Sequence, residues 1–85
     1  MKVLVPSALR SYTRKRQVEA CGATLSELFG DLDARYPGLR FRVVDETGCL
    51  RPNMRIFVNG LTVRDLAQAL RPDDEIAIVL ALSGG

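Results

Sequence analysis

The spacing of apolar residues changes period along the chain, and each change marks an element. Lys2 to Val5 reads as a short strand stopped by Pro6. Pro6 to about Thr13 reads as a loop. Arg14 to Ala20 reads as a second strand, with Lys15, Gln17 and Glu19 set against Arg16, Val18 and Ala20. That alternation is imperfect, which places the strand at a sheet edge. The period then shifts to that of a helix. Leu25, Leu28, Leu32 and Tyr36 are spaced three, four and four, one face of a helix. Thr24-Leu25-Ser26-Glu27 is a capping box at its start, and Pro37-Gly38 ends it, so a helix is predicted over about 24–36. Gly30 inside it costs about 1 kcal/mol against Ala, which points to close packing there.

Beyond the helix, Leu39 to Val44 alternates weakly and reads as a short strand. Asp45-Glu46-Thr47-Gly48 is turn material. Met54 to Val58 is a strand with Met54, Ile56 and Val58 on one face and Phe57 on the other, followed by an Asn59-Gly60 turn. Thr62-Val63-Arg64-Asp65 reads as a second cap opening a helical turn through Leu70. Arg71-Pro72-Asp73-Asp74 turns the chain into a last strand from Glu75. Ile76 to Leu82 is an unbroken apolar run, the pattern of a strand buried on both faces, so it is expected at the sheet centre beside the first strand. The sum is α+β: a mixed four- to five-stranded sheet with one main helix on one face.

Composition narrows the picture. Eighty-five residues make one domain, expected over 1–82, with 83–85 as a flexible Gly-Gly tail. A chain this short buries roughly 60–65% of its unfolded surface, which leaves little room for a deep pocket. No apolar run is long enough to span a bilayer and the N-terminal one is too short for a secretory signal, so the expected location is the cytoplasm with no membrane partner. Cys21 and Cys49 make neither a disulfide framework nor a metal-ligand pattern. The net charge is +2 with both signs mixed, and Arg14-Lys15-Arg16 is read as a solvated turn rather than a nucleic-acid surface. The chain has no histidine, so neither thiol has an obvious base.

Chemistry concentrates at Ser83-Gly84-Gly85. Glycine lets other atoms approach its backbone closely. From Leu80 to Gly85 an extended chain could reach roughly 20 Å, enough to enter a narrow site in another protein. A frayed terminus is the plain alternative. The strand period also puts Val79 on the face away from Ile76 and Ile78. Val79 with Leu61 and Leu82 is the candidate exposed apolar patch for docking, unless the same chain covers it.

The element order, Val58-Asn59-Gly60, Asp73-Asp74-Glu75-Ile76-Ala77-Ile78 and the closing Gly84-Gly85 together resemble the ubiquitin-like sulfur-carrier family. That family includes the small subunit of molybdopterin synthase and the carriers of thiamine and cysteine biosynthesis. Val3-Leu4-Val5-Pro6-Ser7-Ala8-Leu9-Arg10 is most similar to the cysteine-type and metallophore-pathway carriers. The resemblance spans the chain. It implies a β-grasp fold and no catalysis by the chain itself. It implies that a ubiquitin-activating-like (E1-like) adenylating enzyme uses ATP to activate the Gly85 carboxylate. A sulfur donor would then form a thiocarboxylate, and a biosynthetic enzyme would accept the sulfur into cysteine, thiamine, molybdopterin or a metallophore. Gly84 and Ser83 would be the tail, and the carrier would bind no cofactor or metal of its own. Family members often carry proline before Gly-Gly; Leu80-Ala81-Leu82-Ser83 has none. Two other readings stay open: a ubiquitin-like modifier joined to lysines through Gly85, and a β-grasp interaction module with an idle tail.

Overall fold

The apolar run near the end of the chain takes the middle of the sheet. In the computed structural model, which describes residues 1–81, it forms β5 (Glu75–Leu80). The sheet also contains β1 (Lys2–Leu4), β2 (Gln17–Glu19), β3 (Met54–Val58) and β4 (Leu61–Val63), in the order β2-β1-β5-β3-β4. β1 pairs parallel with β5, and every other pairing is antiparallel. Register fixes the faces. Ile56 opposes Ile78 and Val58 opposes Ile76, and all four are buried on one side. β2 is an edge strand, as its broken alternation foretold.

One helix covers that apolar side. α2 (Leu25–Arg35) buries Leu25, Leu28, Phe29 and Leu32, each with no exposed surface. Phe29 lies four residues past Leu25 and widens the stripe, while Tyr36 is the half-buried C-cap. Thr24 Oγ1 accepts from the Glu27 N–H at 3.2 Å, a cap worth about 1 kcal/mol. Glu27 reaches back to the N–H of Ala23 at 3.4 Å, one residue earlier than a capping box requires. Gly22 sits against this first turn. A Cβ there would stand 2.5 Å from the Leu28 nitrogen.

Three stretches depart from the expectations. Pro6 to Thr13 is not a loop: it holds a 3-10 turn (Ser7–Leu9) running into α1 (Arg10–Thr13), because Leu9 and Thr13, one helical turn apart, both bury against the body. Leu39 to Val44 is not a strand but α3 (Leu39–Val43). Leu39 and Val43 are four apart and fully buried, so the five-residue pattern fits a helix as well as a strand, and packing decides. Val44 keeps only an isolated bridge to Leu50. Thr62 onward opens no helix. Leu61–Val63 is β4, and Asp65 accepts from the Ala67 N–H at 2.9 Å in a local turn. Gly30 also differs, since nothing lies within 4 Å of a Cβ built there.

The Asn59-Gly60 turn does form, with both residues at positive φ, 52° and 85°. Asn59 ties it to the start of β5. Its N–H donates to the Glu75 carbonyl at 2.8 Å. Its side chain accepts from the Glu75 N–H and donates to the Asp74 carboxylate, both at 2.9 Å.

Candidate functional site at the end of the central strand

Topology gathers two sets of loops at opposite ends of the sheet. β1 and β5 finish at one end, where β2 and β3 begin. Segments 5–16 and 39–55 lie at that end, and they hold eight lysines and arginines against two acids, Asp45 and Glu46. Lys2, Glu19, Asp74 and Glu75 mark the other end. The chain leaves the sheet at Ala81, whose N–H donates to the Asn53 carbonyl at 2.8 Å. Leu82, Ser83, Gly84 and Gly85 lie outside the described residues. Bond lengths alone confine Gly85 to within about 14 Å of Ala81.

A hollow of about 280 Å³ sits beside that exit, lined by Leu9, Phe41, Arg42, Arg51 and Leu80 among others. Phe41 is 57% exposed, because α3 turns it outward between buried Leu39 and Val43. Arg51 holds it from one side. The Arg51 guanidinium lies 4.7 Å from the ring centroid, and its Nε donates to the Phe41 carbonyl at 2.7 Å. Arg42 donates to the Tyr12 hydroxyl at 3.4 Å. Arg55, opposite Val79 in the register, donates to the Pro52 and Met54 carbonyls. Sequence reasoning passed over these arginines. For Arg42 the available signal was its alternation with Arg40 in Leu39–Val43, which was taken for strand periodicity; Arg51 and Arg55 carried none.

Of the residues expected to dock a partner, Val79 is 40% exposed on the face away from α2. It borders a groove of about 420 Å³ with Leu4, Pro6, Ala77 and Leu80. Leu61 is 72% exposed but opposes Val58, whose side chain faces the core. Directly paired residues point the same way, so Leu61 lies on the other side of the sheet from Val79. It lines a separate hollow with Gln68 and Arg71. The structure therefore does not join them in one patch.

Three carboxyls sit below the usual carboxylate range, and all three hold turns. Asp31 accepts from the Cys21 N–H and from Arg35. Asp45 accepts from the Thr47 hydroxyl and the N–H groups of Cys49 and Thr47. Asp74 accepts from the Arg71 N–H and Asn59. Cys21 and Cys49 are exposed free thiols. Among the described residues no group of three His, Cys, Asp or Glu could hold a metal, and no helix is long and apolar enough to cross a membrane.

The family model of the ThiS family matches residues 3–85. The chain belongs to the ThiS family. Its likeness to known members runs end to end. Sulfur carrier protein CysO of Mycobacterium tuberculosis is 36% identical over 98% of this chain and 96% of its own length. A chain of the BexX/CysO complex of Amycolatopsis orientalis superposes with a TM-score of 0.91 at 33% identity, covering 99% of this chain and 98% of that one. Small archaeal modifier protein 1 of Methanosarcina acetivorans gives a TM-score of 0.81 at 27% identity, over 99% and 94%. The ThiS-family architecture here is thus the ubiquitin-like β-grasp, with its mixed sheet and covering helix.

Proposed function

We propose that this chain is a sulfur carrier whose working group is the Gly85 carboxylate. The whole-length relationship to CysO sulfur carriers carries the reading. The fold is consistent with it: the central strand ends at Leu80, and residues 82–85 continue from there. A carboxylate resists nucleophiles until its oxygen gains a better leaving group. An E1-like adenylating enzyme supplies one by joining the Gly85 carboxylate to the α-phosphate of ATP, releasing pyrophosphate. A donor then delivers sulfur at the sulfide level to the acyl carbon and displaces AMP, leaving a C-terminal thiocarboxylate. That soft nucleophile passes its sulfur to an acceptor held by a biosynthetic enzyme that makes a small sulfur metabolite, in the cytoplasm.

The chain's own part is mechanical and steric. Gly84 and Gly85 add no side chains at the acyl carbon, and Ser83 adds a small one. The chain brings no histidine to act as base, so both activation and transfer fall to partners and the carrier itself is not the catalyst. The neighbour in the BexX/CysO complex is found with a second protein. Val79 and the groove beside it are the docking face for the adenylating enzyme.

A second reading rests on the likeness to a small archaeal modifier protein: the same activated end joined to lysine amines. Intact-mass spectrometry separates the two after incubation with the adenylating enzyme of the same organism, ATP and a sulfur donor. A gain of about 16 Da on the free chain, lost when Gly84-Gly85 is deleted, supports the carrier. Lysine adducts without that gain overturn it in favour of the modifier. Neither product points to an interaction module.

A further inference from the structure

We propose that Arg42 and Arg51 beside Leu80, with Arg55 on the Val79 face of the sheet, form a basic collar at the end of β5 that seats a carboxylate-rich rim of the adenylating enzyme that receives the C-terminus. This rests on the chain delivering its end to an enzyme, as carrier or as modifier. Position is the first argument. Gly85 can lie no further than about 14 Å from Ala81, so a protein gripping it works beside the hollow that Arg42 and Arg51 line with Leu80. The second is unspent charge. The ion pairs among the described residues are Met1 with Glu19, Lys2 with Glu75 and Arg35 with Asp31. None uses a collar arginine. Asp45 lies near enough to Arg51 to feel its charge, but its oxygens are taken by Thr47 and Cys49.

Preorganisation is the third argument. Arg51 is tied by Nε to a backbone carbonyl and by its plane to Phe41, and Arg55 is tied by Nη1 to two carbonyls. Their remaining N–H groups present fixed forks of the kind that match carboxylates. A nucleic acid fits less well, because one face of Phe41 is already covered by Arg51 and Tyr12 has Arg42 beside it. Finally, the charge is polarised: at the far end Glu19, Asp73, Asp74 and Glu75 are offset by Lys2, Arg71 and the N-terminus, whereas eight basic residues face two acids at the collar end.

The test is steady-state ATP–pyrophosphate exchange by the adenylating enzyme that loads the wild-type chain. Arg42→Glu/Arg51→Glu/Arg55→Glu is expected to raise KM for the carrier about tenfold or more and to leave kcat within about twofold. Arg71→Glu, at the far end, leaves both within about twofold. Since Arg51 also braces Phe41, a second measurement needs no variant. Raising ionic strength from about 0.05 to about 0.5 M raises the wild-type KM and not kcat. An unchanged KM in the triple variant, or a wild-type KM insensitive to salt, overturns the collar while leaving the carrier reading intact. Absence of exchange with the wild-type chain overturns both. Tight binding of a labelled single-stranded RNA, lost in the triple variant while KM is unchanged, assigns the surface to nucleic acid instead.

Discussion

One substitution made at two glycines should move stability in opposite directions. At Gly22 an added Cβ would stand 2.5 Å from the Leu28 nitrogen, 2.8 Å from the Glu27 carbonyl carbon and 2.9 Å from the Leu28 Cα. All three are backbone atoms of the first turn of α2, so no side chain can swing aside. Either the 20–23 segment or the helix must shift. A shifted helix strains the Leu25 N–H bond to Gln68 (3.1 Å) and the Ser26 N–H bond to Leu66 (2.9 Å). Overpacking of this kind costs about 1–3 kcal/mol, and rigid neighbours put Gly22→Ala near the top of that range. For a domain this small about 3 kcal/mol lowers Tm by roughly 12–24 °C. Gly30 is exposed inside the same helix, and a Cβ there meets nothing within 4 Å. Gly30→Ala should therefore gain about 1 kcal/mol of helix propensity, or roughly 4–8 °C. Thermal unfolding followed by circular dichroism, with urea titrations to compare m-values, reads both. A Gly22→Ala variant within about 0.5 kcal/mol of wild type at unchanged m would refute the steric argument. So would two variants that shift Tm in the same direction.

Asn59→Ala should lose about 1–3 kcal/mol in urea unfolding, since Ala pays for the positive φ and drops the bonds to Glu75 and Asp74; Asn59→Gly should lose less. Val79→Asp should cut thiocarboxylate formation several-fold while Tm stays within a few degrees, because that side chain is already 40% exposed; loading at the wild-type rate would move the docking face elsewhere. Hydrogen bonds from the Cys21 N–H, the Thr47 hydroxyl and the Arg71 N–H hold Asp31, Asp45 and Asp74 below the ordinary aspartate pKa when folded, so the stability they contribute is present above that ordinary value and drains away as pH falls through the folded ones. Tm should hold from neutral pH to about 5 and then drop, and Asp45→Asn should make the drop shallower.

The elements written in long, unambiguous patterns were legible. α2 announced itself through its cap and leucine spacing, and β5 took its expected central place, although it is not buried on both faces: Ile76 and Ile78 are buried while Val79 on the other face is 40% exposed. β3 and the Asn59-Gly60 turn were equally plain. The misread segments are those where five or fewer residues carry the pattern. In Leu39–Val43, i and i+4 are apolar, as are alternate positions, and only contact with the body chooses the helix. In Leu61–Val63 the strand is three residues long, and the Asp65 turn after it imitates a helix cap. The candidate site divides in the same way. The outward face of Val79 follows from spacing, and Gly84-Gly85 lie outside the described residues. The separation of Leu61 from Val79 depends on register across β3, which no local pattern encodes. The meeting of Phe41 with Arg51 depends on a loop whose path is set by distant contacts.

Placing the last strand between β1 and β3 also settles how the molecule bears load. A partner that draws the terminus into a narrow cleft pulls β5 lengthwise, along the sheet. The ladders on both sides then resist in shear, all their hydrogen bonds sharing the strain at once instead of opening one after another like a zip. The same strand at the edge would have had a single ladder to resist with.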